Sequence, residues 1–485
     1  MICIGVSRLA AIRRILAPWS VSVPPTTRCQ RLAVSLLLLF IVAACSGEPK
    51  TSQQVAAVQQ AVAVKAADTA SIGFPSFADN AGPPPGWTGP VFQLSQAFPQ
   101  TLPTDDSLPF MQIDFRTNTV AYLQAVKAYI LAGNINRGND SAGNSLDWHT
   151  QSNPVRPWYN MPWRTTGTSG REFVHGLTRE FPAAPHSLDT AQKNYYDTYA
   201  RAIYNPVAGF TVGQVWPSAT QGPDVAKASF SPGAVVAKIL FTTADTTDVP
   251  EASGGMQWQA NIYPNSKCKS DTIPGCQRVV KSVRLFQMDF AIKDPRAPIT
   301  QWVFGTFVYD RNAPGTSIYD KMVPLGLMFG NDPEVTASTQ QPVISESKIL
   351  AVSMFEHLGC HKRLSGPVDN PKSSCMSCHM TAQHPSAPSV PVVDSVTACD
   401  SPKNAAFWRD LAPGTPFLPV VNGVKAVALD FSMEMTSAVQ NYFVSTHPTA
   451  ATPKLSAAMA RPRDTSFYDV VRQQNQIAGK GAKPK

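Results

Sequence analysis

The chain predicts an α+β fold, with a helical, loop-rich N-terminal region, then a mostly antiparallel β-sheet, then a helix-and-loop segment around a Cys-x-x-Cys-His run. Three observations predict it. Apolar residues recur at helical spacing at Val120, Leu123, Val126 and Ile130. Further on the period changes to two, with Met256, Trp258, Ala260 and Ile262 alternating with polar neighbours, as expected of a half-buried strand. The 43 prolines among 485 residues separate short elements by extended connections.

Taken in order, residues 1–45 have the pattern of a lipoprotein-type signal peptide. Arg28 and Arg31 precede the apolar run Leu32 to Ala44, which is too short to span a bilayer comfortably. Val42-Ala43-Ala44-Cys45 resembles a bacterial lipobox, in which the cysteine takes lipid and becomes the new N-terminus. A plain cleaved signal and an uncleaved anchor are the alternatives, and all three place the body outside the cytoplasm. The expected location is the bacterial periplasm or outer membrane, with the lipid as anchor. Residues 46–109, rich in Ala, Gln and Pro, form a tether.

Residues 110–230 are expected to be helical and aromatic-rich. Asn118 or Thr119 caps a first helix that ends at Gly133, and a second helix is predicted over Leu188–Tyr204. The intervening Trp148, Trp158 and Trp163 suit a loop layer over a flat apolar object, either a neighbouring domain or a porphyrin edge. His149 and His175 are the residues there that could approach a haem. Residues 231–345 carry the sheet: Val235–Phe241 and Trp302–Tyr309 read as strands covered on both faces. Arg284, Phe286, Met288, Phe290 and Ile292 alternate, which puts Gln287 and Asp289 on the face opposite Phe286, where they either reach a site or face solvent. Residues 346–447 form the c-type haem-binding region, opened by a helix over Ser347–Leu358 and closed by one with Phe431, Met435, Val439 and Phe443 on one face. Residues 448–485 form a basic tail expected to be disordered.

The net charge of +8 does not indicate nucleic-acid binding. Residues 1–45 hold five Arg and no acid, and residues 448–485 hold seven Lys and Arg against Asp464 and Asp469, which leaves −2 for the body.

The chemistry centres on Cys375-Met376-Ser377-Cys378-His379. Two thiols three positions apart can add to the vinyl groups of one haem, and the adjoining imidazole can ligate its iron, so one covalent haem c is expected, with His379 as proximal ligand. The distal position decides between functions. Met433 or Met435 as sixth ligand suits electron transfer, and Met354, His357 and His361 are sterically possible. An open position suits an enzyme or sensor acting on peroxide, nitric oxide or hydroxylamine, with His361, Arg363 and Asp369 as nearby candidates for proton transfer or charge stabilisation. The expected partner is accordingly a redox protein or a small haem ligand. A zinc site built from Cys360, His361, Cys375, Cys378 and His379, or a cofactor-free disulfide at the C-x-x-C, are the rival readings. In an oxidising compartment the four remaining cysteines suggest two disulfides, Cys268–Cys276 across Pro274-Gly275 and, by elimination, Cys360–Cys399.

The run with Lys238-Ile239-Leu240-Phe241, Gln301 to Phe307 and Leu364 to Asn370 before the motif resembles exported bacterial proteins carrying a single cytochrome c motif. The layout of a sheet followed by a C-terminal CxxCH is loosely similar to the cytochrome P460 family. That resemblance implies a sheet-based haem pocket and an open, five-coordinate iron used in oxidising small nitrogen compounds. The family's cross-linking lysine has no assignable counterpart here.

Overall fold

A computed structural model describes residues 87–446, apart from 88, 93, 105–106, 135–137, 146–147, 150–151, 164–172, 175–176, 181, 266–267, 269–272, 336–343, 351–357, 371–372 and 388–401. The fold is α+β, built on a nine-stranded antiparallel sheet: β1 Phe173–Val174, β2 Leu177–Arg179, β3 Thr198–Tyr204, β4 Val235–Thr242, β5 Gln257–Ile262, β6 Val279–Lys293, β7 Trp302–Tyr309, β8 Met322–Met328 and β9 Ser347–Ile349. The order across the sheet is β1-β2-β3-β4-β6-β7-β8-β9, with β5 paired to β6. Arg284 pairs with Thr242 of β4 on one side and Gln257 of β5 on the other, so β5 and β7 share one edge of the long β6. Among the described residues five α-helices accompany the sheet: α1 Thr119–Leu131, α2 Pro206–Val215, α3 Ile318–Lys321, α4 Cys375–His379 and α5 Met433–Thr446.

Two expectations are corrected. Leu188–Tyr204 is not a helix. Its second half is β3, where Tyr199, Arg201 and Ile203 face one way and Ala200, Ala202 and Tyr204 the other, all in register with β4. Aromatic and β-branched residues with a partner strand override the weak helical pattern. The sheet therefore begins inside the stretch expected to be helical. At the other end Ser347–Ile349 is the edge strand β9, while residues 351–357 lie outside the described residues.

Alternation along the strands gives the sheet two faces. On the first, Val235, Ala237, Ile239 and Phe241 of β4 and Met288, Phe290 and Ile292 of β6 share a core with Tyr122, Leu123, Val126, Tyr129 and Ile130 of α1. Val120 is exposed, so the buried stripe of α1 is rotated toward its tyrosines. Lys127 is buried too, and its ammonium donates to the carbonyls of Tyr319 at 2.7 Å and Met322 at 3.1 Å. The second face carries Ala202, Val236, Ala291, Phe304 and Val308 and packs against Leu364, Met376, Met380, Leu429, Phe431, Met435 and Val439. Every residue of β7 is buried, because that strand is covered on both sides.

The tryptophans divide between the two layers. Trp148 and Trp158 belong to the α1 core, while Trp163 packs near Trp216 and edge-on to Tyr442 of α5. Trp148 puts the segment with His149 on the first face, where the His149 amide donates to Asn134. His175 lies outside the described residues, as do Cys45, Cys399, the signal and most of the tether. The tail beyond Thr446 does as well. No helix among the described residues is long and apolar enough to cross a membrane.

Candidate functional site

Helix α4 is one short turn that carries Cys375, Cys378 and His379. It starts at Ser374 with a reciprocal cap: the Ser374 hydroxyl accepts from the Ser377 amide at 3.0 Å, and the Ser377 hydroxyl accepts from the Ser374 amide at 2.8 Å. The Ser374 hydroxyl also donates to Asn331 Oδ1 at 3.2 Å, tying the helix start to the loop after β8. The Cys375 amide donates to Leu364 O at 3.1 Å. The turn is thus fixed from both sides before any cofactor is considered.

Cys375 and Cys378 are free thiols, in contrast to Cys268 and Cys276, which are joined to each other, and to Cys360, which is disulfide-bonded. Burial pushes both free thiols up, Cys375 well above the usual thiol range and Cys378 to about 11. Nearby carboxylates add to the effect, and bonds from Thr306 to Cys375 and from Ser373 and Ser377 to Cys378 oppose it.

Burial lowers His379 to about 4, so at neutral pH the imidazole is uncharged, as a metal ligand must be. Its Nδ1 lies 2.9 Å from the carbonyl oxygen of Phe431. A carbonyl only accepts, so Nδ1 carries the proton and Nε2 keeps its lone pair. This is the arrangement of a histidine oriented for ligation by a second contact on its other nitrogen. The Phe304 ring on β7 lies against the imidazole, with centroids 4.8 Å apart.

The segment that supplies the carbonyl has an unusual backbone. Asp430 and Phe431 have φ of 43° and 65°, two consecutive non-glycine residues in the left-handed region. Aspartate tolerates it, whereas phenylalanine is disfavoured by about 1–2 kcal/mol. The buried Asp430 carboxylate accepts from Lys293 Nζ at 2.8 Å, Trp302 Nε1 at 2.8 Å and the Phe230 amide at 2.7 Å.

Beside the thiols the second face becomes polar. Lys238 on β4, Asp289 on β6 and Thr306 on β7 are cross-strand partners in one row. Gln287 bridges two carboxylates through one amide nitrogen, 2.8 Å from Asp289 and 2.9 Å from Asp369. Asp289 is pushed well above the carboxylate range, first by burial and then by the charge of Asp369. Lys238 pairs with Glu180 at 3.4 Å. Gly366 allows the loop to come this close, because a Cβ there would fall 2.2 Å from the Gln287 amide. The strand has a register shift where Phe286 has no partner in β4, and Phe286 packs with Ala200 and Leu240, residues of this same face. The strict alternation that placed Phe286 opposite Gln287 is corrected by that bulge.

Met433 and Met435 lie in the first turn of α5, just after Phe431; Met433 Sδ accepts from Thr381 at 3.4 Å and Met435 is fully buried in the second core. Two other expectations are revised. Arg363 does not face the thiols: its guanidinium is fully buried and donates to the carbonyls of Asn331, Asp332, Val335 and Cys360. The zinc set loses Cys360 to its disulfide, and among the described residues no group of three or more His, Cys, Asp or Glu side chains is gathered to hold a metal ion. His361 has a left-handed φ in a 3-10 turn, Cys360–Lys362, and Met354 and His357 lie outside the described residues.

Sequence reasoning missed the Phe431 carbonyl, Asp430, Lys293 and Trp302. A backbone carbonyl has no residue signature, and the Lys293–Asp430 pair is separated by 137 positions.

The donor set suits a covalently held haem: two unpaired thiols on one turn, next to a neutral imidazole whose second nitrogen is already occupied by a carbonyl. No protein-family model, curated protein or solved structure matches the chain.

Proposed function

We propose that the chain is an exported monohaem c-type cytochrome that transfers single electrons, with haem c held by Cys375 and Cys378 and iron ligated by His379. The observation that carries this reading is the contact between His379 Nδ1 and the Phe431 carbonyl, which fixes the tautomer with Nε2 available. When bound, the haem supplies a one-electron ferric/ferrous couple. The chain's own residues do the rest. Ser374 and Ser377 shape the turn, Phe304 limits rotation of the imidazole, and burial keeps His379 neutral.

Export fits the same reading, because a lipid-anchored location would present the haem to periplasmic redox partners. The test is expression with a cytochrome c maturation system and its native leader, followed by pyridine haemochrome absorbance. One haem per chain, lost in Cys375→Ala/Cys378→Ala, is expected. A mature, exported chain without haem would overturn the proposal.

A second reading, a five-coordinate haem protein that binds a small ligand, is favoured by one observation. Met433 Sδ, one of the expected sixth ligands, already accepts from Thr381, and Met435 is fully buried in the second core. High-spin ferrous iron that binds CO at once would support it, and a low-spin form with a methionine-to-iron band would reject it.

A further inference from the structure

We propose that Asp430 is a positioning residue for His379, acting through the backbone of Phe431 and anchored by Lys293 and Trp302. The inference rests on the reading of His379 as the proximal ligand and concerns how that ligand is held.

The argument starts from the left-handed pair Asp430-Phe431. A short turn in that conformation relaxes unless something outside it over-determines its shape. Asp430 does so with both carboxylate oxygens. Oδ1 accepts from Lys293 Nζ at 2.8 Å and Trp302 Nε1 at 2.8 Å. Oδ2 accepts from the Phe230 amide at 2.7 Å and Lys293 Nζ at 3.0 Å. The donors come from the end of β6, the start of β7 and the connection before β4, so the carboxylate is located against the rigid sheet.

One residue further on, the Phe431 carbonyl points at His379 Nδ1. The aromatic rings complete the frame: Trp302 lies 6.3 Å from Phe431, Phe431 is 6.4 Å from Phe304, and Phe304 is 4.8 Å from the imidazole. The sheet thus holds the carboxylate, the carboxylate holds the turn, and the turn presents the carbonyl. A buried ion pair used only for stability would not need to be adjacent to the residue whose carbonyl meets the ligand.

The consequence is electronic. A firm acceptor on Nδ1–H makes Nε2 a stronger donor, and a stronger donor favours ferric over ferrous iron. Loosening the turn should weaken that acceptor and raise the midpoint potential.

The test uses Asp430→Asn, which keeps the shape and an acceptor but loses the charge, alongside Lys293→Met. Phe290→Ala, on the other face of the sheet, is the control for general destabilisation. Two readouts are taken. In the haem-free chain, ring nitrogen chemical shifts of His379 report the tautomer. The Nδ1–H form should dominate in the parent and lose roughly fivefold against the Nε2–H form in both test variants, the factor carried by one ordinary hydrogen bond. In the haem-loaded chain, spectroelectrochemistry should give a higher potential for both variants and an unchanged one for Phe290→Ala.

An unchanged tautomer ratio in folded Asp430→Asn overturns the inference, and so does a shift of equal size in Phe290→Ala. If the parent takes up no haem, the proposed function fails, while the tautomer measurement still decides the role of Asp430.

Discussion

The two faces of the sheet are built from the same strands but to different rules. The α1 face is mainly apolar, with Phe241, Met288, Phe290, Ile292 and Phe307 in one core. One position along those strands, the other face places Lys238, Asp289, Gln287 and Thr306 in a cluster beside Cys375. The first face carries stability. The second gives up part of its apolar area to buried and half-buried polar groups, of which Gln287, Asp289 and Thr306 are bonded to one another, the pattern of a surface built around a site rather than only a core.

The largest effect should come from the second face. Cys375→Ala/Cys378→Ala is expected to abolish covalent haem entirely while leaving the fold intact, checked by haem staining of denatured protein and by circular dichroism. Next is Phe290→Ala on the first face, which should cost about 3–5 kcal/mol in denaturant unfolding by opening a cavity. Haem content and spectrum should not change; a spectral change would erase the distinction between the faces. Arg363→Met should cost about 3 kcal/mol, because it strips donors from four buried carbonyls at once.

Smaller effects depend on pH. Asp289 has a raised pKa in the fold, so the native state keeps a proton that the unfolded chain releases, and stability falls as pH rises from the unfolded carboxylate value through the raised one. Asp289→Asn removes that loss. It should raise the melting temperature at pH 7 and leave it nearly unchanged at pH 3.

His379 has the opposite sign in the haem-free chain. Its folded value of about 4 lies below the ordinary 6.5, so its contribution is complete above about 6.5 and lost as pH falls through about 4. His379→Gln should flatten that limb of the pH–stability curve; an unaltered slope would show that the imidazole is not buried as described.

Much of the molecule was legible in the sequence because period two is a local signal. The strands at 235–242, 257–262 and 302–309 follow from side-chain alternation or continuous apolar runs, and α1 from its spacing. The pair Cys268–Cys276 was legible from a loop of eight positions with Pro274 and Gly275 at its turn. β3 was not, since Thr198–Tyr204 becomes a strand only by pairing with β4, more than thirty positions later. At the site, the turn 375–379 announced itself through three side chains with known chemistry. What supports it was legible only in part: Gln287, Asp289 and Asp369 stand out singly as polar candidates, but their meeting spans 82 positions, and the acceptor for His379 is a main-chain oxygen. The methionines at 433 and 435 have a suitable separation from His379, but separation along a chain does not encode direction.

The use of a backbone oxygen at His379 changes what inherited variation can do to the site. Any substitution at Phe431 keeps a carbonyl in the chain, so the atom that touches the histidine cannot be deleted by a single codon change at its own position. Sensitivity is displaced to Asp430, Lys293 and Trp302, none of which touches the imidazole through its side chain in the described network. A survey of variants should therefore find the intolerant positions beside the contact rather than in it.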